Sequence, residues 1–190
     1  MKKLKVFCLI VLVAISFSGC KTIESPPRKE RITNSNIDIP TGQDTPNYQI
    51  VNENKVVLSS FNFEIPDNLT LLSGTVNPIV ESSDKTFQLM IEDKTDSVTD
   101  YQEYVNSTYS TCKATGIDIS NAESISLNDL SAIRFAINTK DEENEDVTMI
   151  FYFIEQDDLK IDAVIMLKGK KVTDYSEFDN YIATVKFFEN

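Results

Sequence analysis

The sequence predicts an α+β domain in which an antiparallel β-sheet is packed by helices. After residue 48, apolar residues alternate with period two over most of the chain, which is typical of strands. Two stretches, one in the middle and one at the end, change to helical spacing. The linkers between the later strands are short and polar, so neighbouring strands should be antiparallel, because a parallel return needs a long crossover.

The domain begins with strands. In residues 48–66, "YQIVNENKVVLSSFNFEIP", two apolar runs flank the polar residues 52–55, which predicts a hairpin. Further along, Phe61, Phe63 and Ile65 alternate with polar residues. These three side chains should therefore lie on the buried face of a strand.

A second hairpin and the first helix follow. The second hairpin has its expected turn at residues 82–85, and the helix is predicted over residues 98–112, where apolar residues recur three and four positions apart. Ser97 and Asp100 fit a capping box. Gly116 can adopt the left-handed conformation that ends a helix.

Four strand-like runs come next and predict an antiparallel meander: "ESISL", "SAIRFAINTK", "DVTMIFYFIEQ" and "LKIDAVIMLKG". The closing segment, residues 174–188, returns to helical spacing. It places four apolar residues on one helix face: Tyr175, Phe178, Ile182 and Val185. Ser176 and Asp179 fit a second capping box.

The N-terminus has the pattern of an export signal. Three lysines precede the uncharged block "VFCLIVLVAISF", which is too short to cross a bilayer comfortably, since a span needs about 20 residues. The stretch "SFSGC" resembles a bacterial lipobox, in which the cysteine becomes the first mature residue and carries lipid such as palmitate. Phe17 departs from the leucine found in most lipoboxes. The resemblance implies lipid attachment at Cys20; an ordinary secretory signal is the alternative.

Three segments are therefore expected. Residues 1–19 would be a lipoprotein signal peptide, and residues 20–47 the lipidated cysteine with a disordered tether. The tether holds four of the six prolines and few apolar residues, so it cannot bury enough surface to offset the entropy of ordering it. Residues 48–190 are long enough for one domain with a single core.

Composition excludes several functions. The chain carries a net charge of −12, which repels nucleic acid. It contains no histidine, and this removes Ser-His-Asp and Cys-His nucleophile pairs as well as histidine-ligated metals. The five glycines are too scattered for a phosphate-binding loop. We therefore expect no cofactor. After loss of Cys8 and lipidation of Cys20, only Cys112 would remain, as a buried thiol without a disulfide partner.

The acidic run "DEENED" is the one cluster that could hold a metal ion. Its candidate ligands are Asp141, Glu142, Glu143, Glu145 and Asp146. A cation such as Ca²⁺ needs six to eight oxygen ligands, and the spacing of an EF-hand is missing. The favoured interpretation is therefore a solvated hairpin tip, with no metal site.

The order of elements, together with "FNFEIPDNL" at residues 61–69 and "YSEFDNYIATVKFF" at residues 175–188, resembles the PsbP-like superfamily. This superfamily includes an extrinsic photosystem II subunit and the DcrB-like bacterial envelope lipoproteins. The resemblance implies an antiparallel sheet packed by helices and a binding or assembly role without catalysis. It assigns no site residue to this chain.

Two functions remain open from the sequence. The first is a lipid-anchored, monomeric, non-enzymatic accessory at the outer face of a bacterial cytoplasmic membrane, bound to an unknown envelope protein. The second is a hydrolase that cleaves an envelope glycan with a pair of carboxylates. The hydrolase would need two carboxylates facing each other in a deep cleft.

Overall fold

The computed structural model describes residues 46–51, 54–73 and 75–188. The predicted signal peptide, Cys20 and nearly all of the predicted tether lie outside the described residues, so these predictions stay predictions. Within the described ranges, no helix is long and apolar enough to span a membrane.

The described residues form an α+β fold that consists mostly of antiparallel strands. The strands are β1 (Gln49–Val51), β2 (Lys55–Val57), β3 (Phe61–Glu64), β4 (Leu69–Leu71), β5 (Ile79–Ser82), β6 (Phe87–Asp93), β7 (Asp118–Ile119), β8 (Glu123–Leu127), β9 (Leu130–Lys140), β10 (Asp146–Gln156), β11 (Leu159–Lys168) and β12 (Lys186–Phe187). The helices are α1 (Tyr101–Ala114) and α2 (Ser176–Ile182).

Two sheets are present where the sequence predicted one. The small sheet has the order β1-β2-β3-β12, and the large sheet has the order β4-β5-β6-β11-β10-β9, with β7 and β8 both paired to the outer edge of β9. The predicted meander is confirmed as β8 to β11. The chain separates the sheets after β3, because Pro66 follows that strand and cannot continue a ladder.

The large sheet is covered on both faces. Strand β10 is buried at eight consecutive positions, from Val147 to Ile154, as expected for a central strand between two layers. One face packs against the small sheet and α2, in a first core that includes Phe61, Phe63, Ile150, Tyr152, Phe178 and Ile182. The other face packs against α1, in a second core that includes Tyr101, Val105, Cys112, Phe135, Phe151 and Phe153.

Helix α1 is confirmed, but its predicted capping box is wrong. Asp100 is the N-cap and accepts a hydrogen bond from the backbone N–H of Glu103 at 2.8 Å. Ser97 belongs instead to a preceding turn, in which its backbone N–H donates to the carbonyl of Lys94 at 3.1 Å. Gly116 has φ +71°, as predicted for a residue just beyond the end of the helix.

Helix α2 is shorter than predicted and ends at Ile182. Val185 lies beyond it, yet is buried because the chain turns back there to form β12. The capping box of Ser176 with Asp179 is also wrong. Asp174 accepts a hydrogen bond from the backbone N–H of Ser176 at 3.0 Å, whereas the carboxylate of Asp179 points to the large sheet.

Candidate functional site

The acidic run forms the tip of the hairpin between β9 and β10, where the sequence placed it. Carboxylate oxygens of Asp141, Glu143 and Glu145 lie within 4.8 Å of one another, a group that does not include Glu142 or Asp146. The tip is exposed to solvent.

Hydrogen bonds within the turn account for this arrangement. Asp141 Oδ1 accepts from the backbone N–H groups of Glu143 at 2.9 Å and Glu145 at 3.0 Å. Lys140 Nζ donates to Asp146 Oδ1 at 2.9 Å. The side chains of Asp141 and Asp146 thus stabilise the hairpin turn, and the absence of a metal site stays a prediction.

A groove of about 400 Å³ lies between α1 and the end of the large sheet that carries β8. Its floor is apolar and includes Val105 from α1, Ile133 from β9 and Phe153 from β10. Its rim is polar and consists of Gln102, Ser124, Ser126, Ser131 and Glu155. An apolar floor with a few polar groups is typical of a binding site.

Serines in β8 and β9 open this groove. Ser126 lies opposite Ser131, and Ser124 lies opposite Ile133, on the face that α1 covers elsewhere. Opposed residues in an antiparallel pair project to the same face of the sheet. Small hydroxyl side chains therefore stand where larger apolar residues would have continued the second core.

The groove also borders a strand edge, because β8 pairs only with β9 among the described residues. A two-residue turn at 128–129 makes Leu127 and Leu130 opposed, hydrogen-bonded partners. Because hydrogen-bonded and non-hydrogen-bonded pairs alternate along an antiparallel ladder, Ser124 and Ser126 direct their backbone N–H and C=O groups away from β9. This edge of the large sheet can therefore accept another strand.

Tyr101, which lines the groove, also belongs to a buried acidic cluster under α1. Asp162 in β11 is only 3% exposed. Its Oδ2 accepts a hydrogen bond from the Tyr104 hydroxyl at 2.6 Å. Its Oδ1 lies 2.7 Å from the hydroxyl oxygen of Tyr101, which also lies 2.6 Å from the carbonyl oxygen of Ile161.

This geometry favours a neutral Asp162. A phenol has one proton, so the Tyr101 hydroxyl cannot donate fully to both neighbouring oxygens. Both contacts become good hydrogen bonds if Asp162 carries a proton and donates it to Tyr101, which then donates to Ile161. Burial raises the pKa of Asp162 in the same direction, although the tyrosine hydroxyls and Lys94 oppose the shift.

Glu92 and Lys94 lie beside this cluster. Lys94 Nζ is 2.9 Å from Glu92 Oε1, and both side chains are largely buried. Glu92 Oε2 is buried without a hydrogen-bond partner among the described residues. Burial raises the pKa of Glu92 to about 7, even though the charge of Lys94 opposes the shift. The α1 face of the sheet therefore holds two carboxyl groups that take up protons readily.

The opposite face of the sheet carries a different cluster. Asp179 of α2 accepts hydrogen bonds from Arg134 Nη1 at 2.7 and 2.6 Å and from the Tyr152 hydroxyl at 2.9 Å. Arg134 also bonds Glu123 at 3.0 Å, and its guanidinium lies 4.9 Å from the ring centre of Tyr175. Burial acts to lower the pKa of Arg134, but its bonds to the two carboxylates outweigh this effect and the pKa is raised.

Cys112 lies on the buried side of α1, as predicted, and is a free thiol. Burial raises its pKa, which keeps it protonated and unreactive. Asp162, Arg134 and the groove were not among the sequence-predicted sites. The signal for Asp162 was a lone charge inside the apolar run "IDAVIML" of β11.

No family model and no curated protein matches this chain. Among solved structures, a Bacteroides thetaiotaomicron protein is similar, with a TM-score of 0.50 and 11% identity over 68% of this chain. The alignment covers 45% of that protein, so this chain spans less than half its length. A Pseudomonas aeruginosa protein of unknown function, described as a putative regulator, aligns with a TM-score of 0.36 and 15% identity, covering 63% of this chain and 81% of that one.

At 11% identity, the similarity to the Bacteroides protein concerns the fold alone. What the comparisons and the geometry support together is an α+β fold of antiparallel sheets with two helices among the described residues.

Proposed function

We propose that this protein is a lipid-anchored, extracytoplasmic binding or assembly accessory without catalytic activity. The lipobox-like "SFSGC" supports attachment through Cys20 at the outer face of a bacterial cytoplasmic membrane. The net charge of −12 argues against a nucleic-acid partner. The domain would be held by its tether as a monomer, within reach of an envelope protein.

The proposal extends to the finer fold. An antiparallel sheet with helices on both faces is what a PsbP-like or DcrB-like domain would have. The two motifs that carry the resemblance lie together in space, because "FNFEIPDNL" forms β3 and "YSEFDNYIATVKFF" forms α2 and β12, and β12 pairs with β3.

The observation that carries the binding role is the groove beside α1. There an apolar floor, a rim of hydroxyl groups and the free edge of β8 meet. An extended segment of a protein partner can add to such an edge through main-chain hydrogen bonds and place a side chain in the adjoining groove. This mode of binding needs no catalytic group.

The described grooves do not favour the alternative, a carboxylate-based glycan hydrolase. The groove beside α1 is lined by one carboxylate, Glu155. The buried carboxyl groups of Asp162 and Glu92 lie under α1, and both oxygens of Asp162 contact tyrosine hydroxyls. A glycosidase instead needs two carboxyl groups that both reach the scissile bond.

The anchor is tested by Cys20→Ser. A hydroxyl is a far weaker nucleophile than a thiolate, so the variant should lose incorporation of labelled fatty acid and should keep its signal peptide. The matched control is Cys112→Ser, which removes the buried cysteine and should leave labelling intact. A labelled Cys20→Ser protein, or an unlabelled wild type, would contradict the anchor.

The groove is tested by Ser126→Pro. Proline removes the backbone N–H that faces away from β9, and an edge strand tolerates it because no ladder bond is lost. Envelope proteins are cross-linked to the full-length lipoprotein and identified. At least one of them should still be captured by Ser126→Ala and should no longer be captured by Ser126→Pro. If the proline variant melts like the wild type and captures the same proteins, the β8 edge is not the binding site.

A further inference from the structure

The groove beside α1 reaches one end of the large sheet, where two turns lie side by side. Residues 128–129 join β8 to β9, and residues 157–158 join β10 to β11. Because Ala132 of β9 pairs with Ile154 of β10, both turns lie at the same end of the sheet. Glu155, the carboxylate that lines the groove, follows Ile154 and lies at this end.

Helix α1 begins at this end as well. The hydroxyl oxygen of Tyr101, in its first turn, lies 2.6 Å from the carbonyl oxygen of Ile161, close to the start of β11. The two turns, the groove rim and the start of α1 together carry six exposed carboxylates, which we call the acidic end: Asp100, Glu103, Asp129, Glu155, Asp157 and Asp158.

Two lysines lie near the acidic end, and both are held by the domain itself. Lys160 Nζ donates to the carbonyls of Val98 at 2.7 Å and Thr99 at 3.1 Å. Lys94 is buried, and its Nζ lies 2.9 Å from Glu92 Oε1. The six carboxylates outnumber these two cations, so the groove opens into a region of negative potential.

The groove itself suits a long aliphatic side chain that ends in a positive charge. Its floor includes the apolar side chains of Val105, Ile133 and Phe153, and Glu155 stands at its rim. Lysine and arginine lay their aliphatic stems along apolar surface and keep the charged head in water. An acidic side chain in the same place would instead face Glu155.

A strand added to β8 would bring such a side chain close to Glu155. Ser126 pairs with Ser131, and the register that pairs Ala132 with Ile154 continues to set Ser131 beside Glu155. Strands lie about 4.8 Å apart, so an added strand would lie about 14 Å from β10. A lysine or arginine that extends inward over the two small serines would bring its cation within about 8 Å of Glu155, which is the Debye length at physiological ionic strength.

We propose that the partner segment at β8 is basic: an extended stretch of an envelope protein with a lysine or arginine facing the groove. The inference rests on the proposed function, which supplies the site, and it adds the chemistry of the partner. An acidic segment would be repelled by the acidic end. A second copy of this chain, with its net charge of −12, is disfavoured by the same repulsion.

Two blocked, fluorescently labelled peptides serve as probes, one of alternating lysine and valine and one of alternating glutamate and valine. Their binding to the full-length lipoprotein in non-ionic detergent is measured by fluorescence anisotropy. We expect the lysine peptide to bind about tenfold or more tightly than the glutamate peptide, because like charges placed together cost affinity. Ser126→Pro should abolish binding of the lysine peptide, and Ser126→Ala should retain it.

A matched pair of glutamine variants separates the groove from the general charge of the chain. Glu155→Gln removes the carboxylate at the groove, and Glu142→Gln removes one at the hairpin tip, which lies at the opposite end of β10. Both glutamates are exposed, so both variants should fold like the wild type. Glu155→Gln should weaken binding of the lysine peptide about two- to fivefold, the range for one exposed charge pair, and Glu142→Gln should leave it nearly unchanged.

The basic partner is overturned if the lysine peptide does not bind the wild type, if the two peptides bind equally, or if the two glutamine variants weaken binding equally. Ser126→Pro then separates the two proposals. If both peptides bind equally and both are lost with Ser126→Pro, the β8 edge remains the binding site and the charge preference alone fails. If Ser126→Pro binds the peptides like Ser126→Ala, the site and the basic partner fail together.

Discussion

Each face of the large sheet contacts a carboxylate that forms several hydrogen bonds, and the two carboxylates are stabilised differently. On the α2 face, Asp179 meets the guanidinium of Arg134 and a tyrosine hydroxyl. On the α1 face, Asp162 meets the hydroxyls of Tyr101 and Tyr104. One site is an ion pair, and the other is a set of hydrogen bonds that suits a neutral acid.

Water access explains the difference. The side chain of Asp179 is 25% exposed and that of Arg134 is 12% exposed, so solvent still screens the pair and limits the cost of removing two charges from water. Asp162 is 3% exposed, and an ionised carboxylate there would lose nearly all its hydration. The more deeply buried acid is therefore better accommodated with its proton retained.

The largest effect expected on the α2 face comes from Phe178→Ala. Phe178 is 4% exposed in the first core and stacks on Phe87 with ring centres 6.3 Å apart. Its loss should cost about 3 to 5 kcal/mol of unfolding free energy, measured by chemical denaturation. Phe63→Ala in the same core should cost a similar amount.

The matched control is Phe188→Ala, because the same atoms are removed from an exposed site; it should cost little. If Phe178→Ala unfolds like the wild type, α2 does not anchor the first core, and the proposed PsbP-like assignment loses its support.

The next effect is that of Asp179→Asn. Arg134 would keep Glu123 as its only charged partner among those described, and the Asn amide would face the guanidinium. We expect a loss of about 1.5 to 3 kcal/mol at neutral pH, the range for hydrogen bonds to charged groups. The measurement is again chemical denaturation, and Asp162→Asn serves as the isosteric control on the other face. Equal losses from the two substitutions would contradict the contrast between an ion pair and a neutral acid.

Asp162→Asn should leave the unfolding free energy nearly unchanged at acidic pH and should raise it at mildly alkaline pH. Asn imitates the protonated acid, since its amide can donate to Tyr101 while its oxygen accepts from Tyr104. In the wild type, the raised pKa means that the folded chain binds more protons than the unfolded chain. Stability from this site is therefore present below the unfolded pKa of about 4 and is lost as the pH rises through the folded pKa.

The pH profile of unfolding free energy between pH 4 and 8 checks this sign. Release of one proton lowers the unfolding free energy by at most about 1.4 kcal/mol per pH unit. Asp162→Asn should make this fall with rising pH less steep. Glu92 should also make the unfolding free energy fall with rising pH, until the pH exceeds its folded pKa of about 7. Glu92→Gln should remove this second decline. A profile that Asp162→Asn leaves unchanged would show that Asp162 is already ionised in the folded protein.

The elements that the sequence predicted correctly are those with a clear local pattern of apolar residues. Strands β8 to β11 carry long apolar runs with short polar turns, and α1 carries a continuous apolar stripe, so both were predictable. Strands β4, β7 and β12 have two or three residues each, too few to show a period. The second sheet was missed because it depends on β12 pairing with β3, across more than 120 residues.

The sites were less predictable than the fold for the same reason. Asp162 contacts tyrosines about 60 residues away, and Arg134 contacts Asp179 45 residues away. The groove beside α1 depends on the register that sets Ser126 opposite Ser131. A lone charge in an apolar run indicates that a partner is needed, but its identity requires the tertiary structure.

The smallest expected effect is that of neutralising the acidic hairpin tip, which is more exposed to water than Asp162 and Asp179 are. Replacing its five acids by Asn and Gln breaks the ion pair of Lys140 with Asp146, in which the two side chains are 52% and 48% exposed. Exposed pairs contribute about 0 to 1 kcal/mol. Asn at position 141 can still accept the backbone bonds that close the turn. The melting temperature should therefore remain nearly unchanged, with or without Ca²⁺. A calcium-dependent rise in the wild type alone would instead identify Asp141, Glu143 and Glu145 as metal ligands.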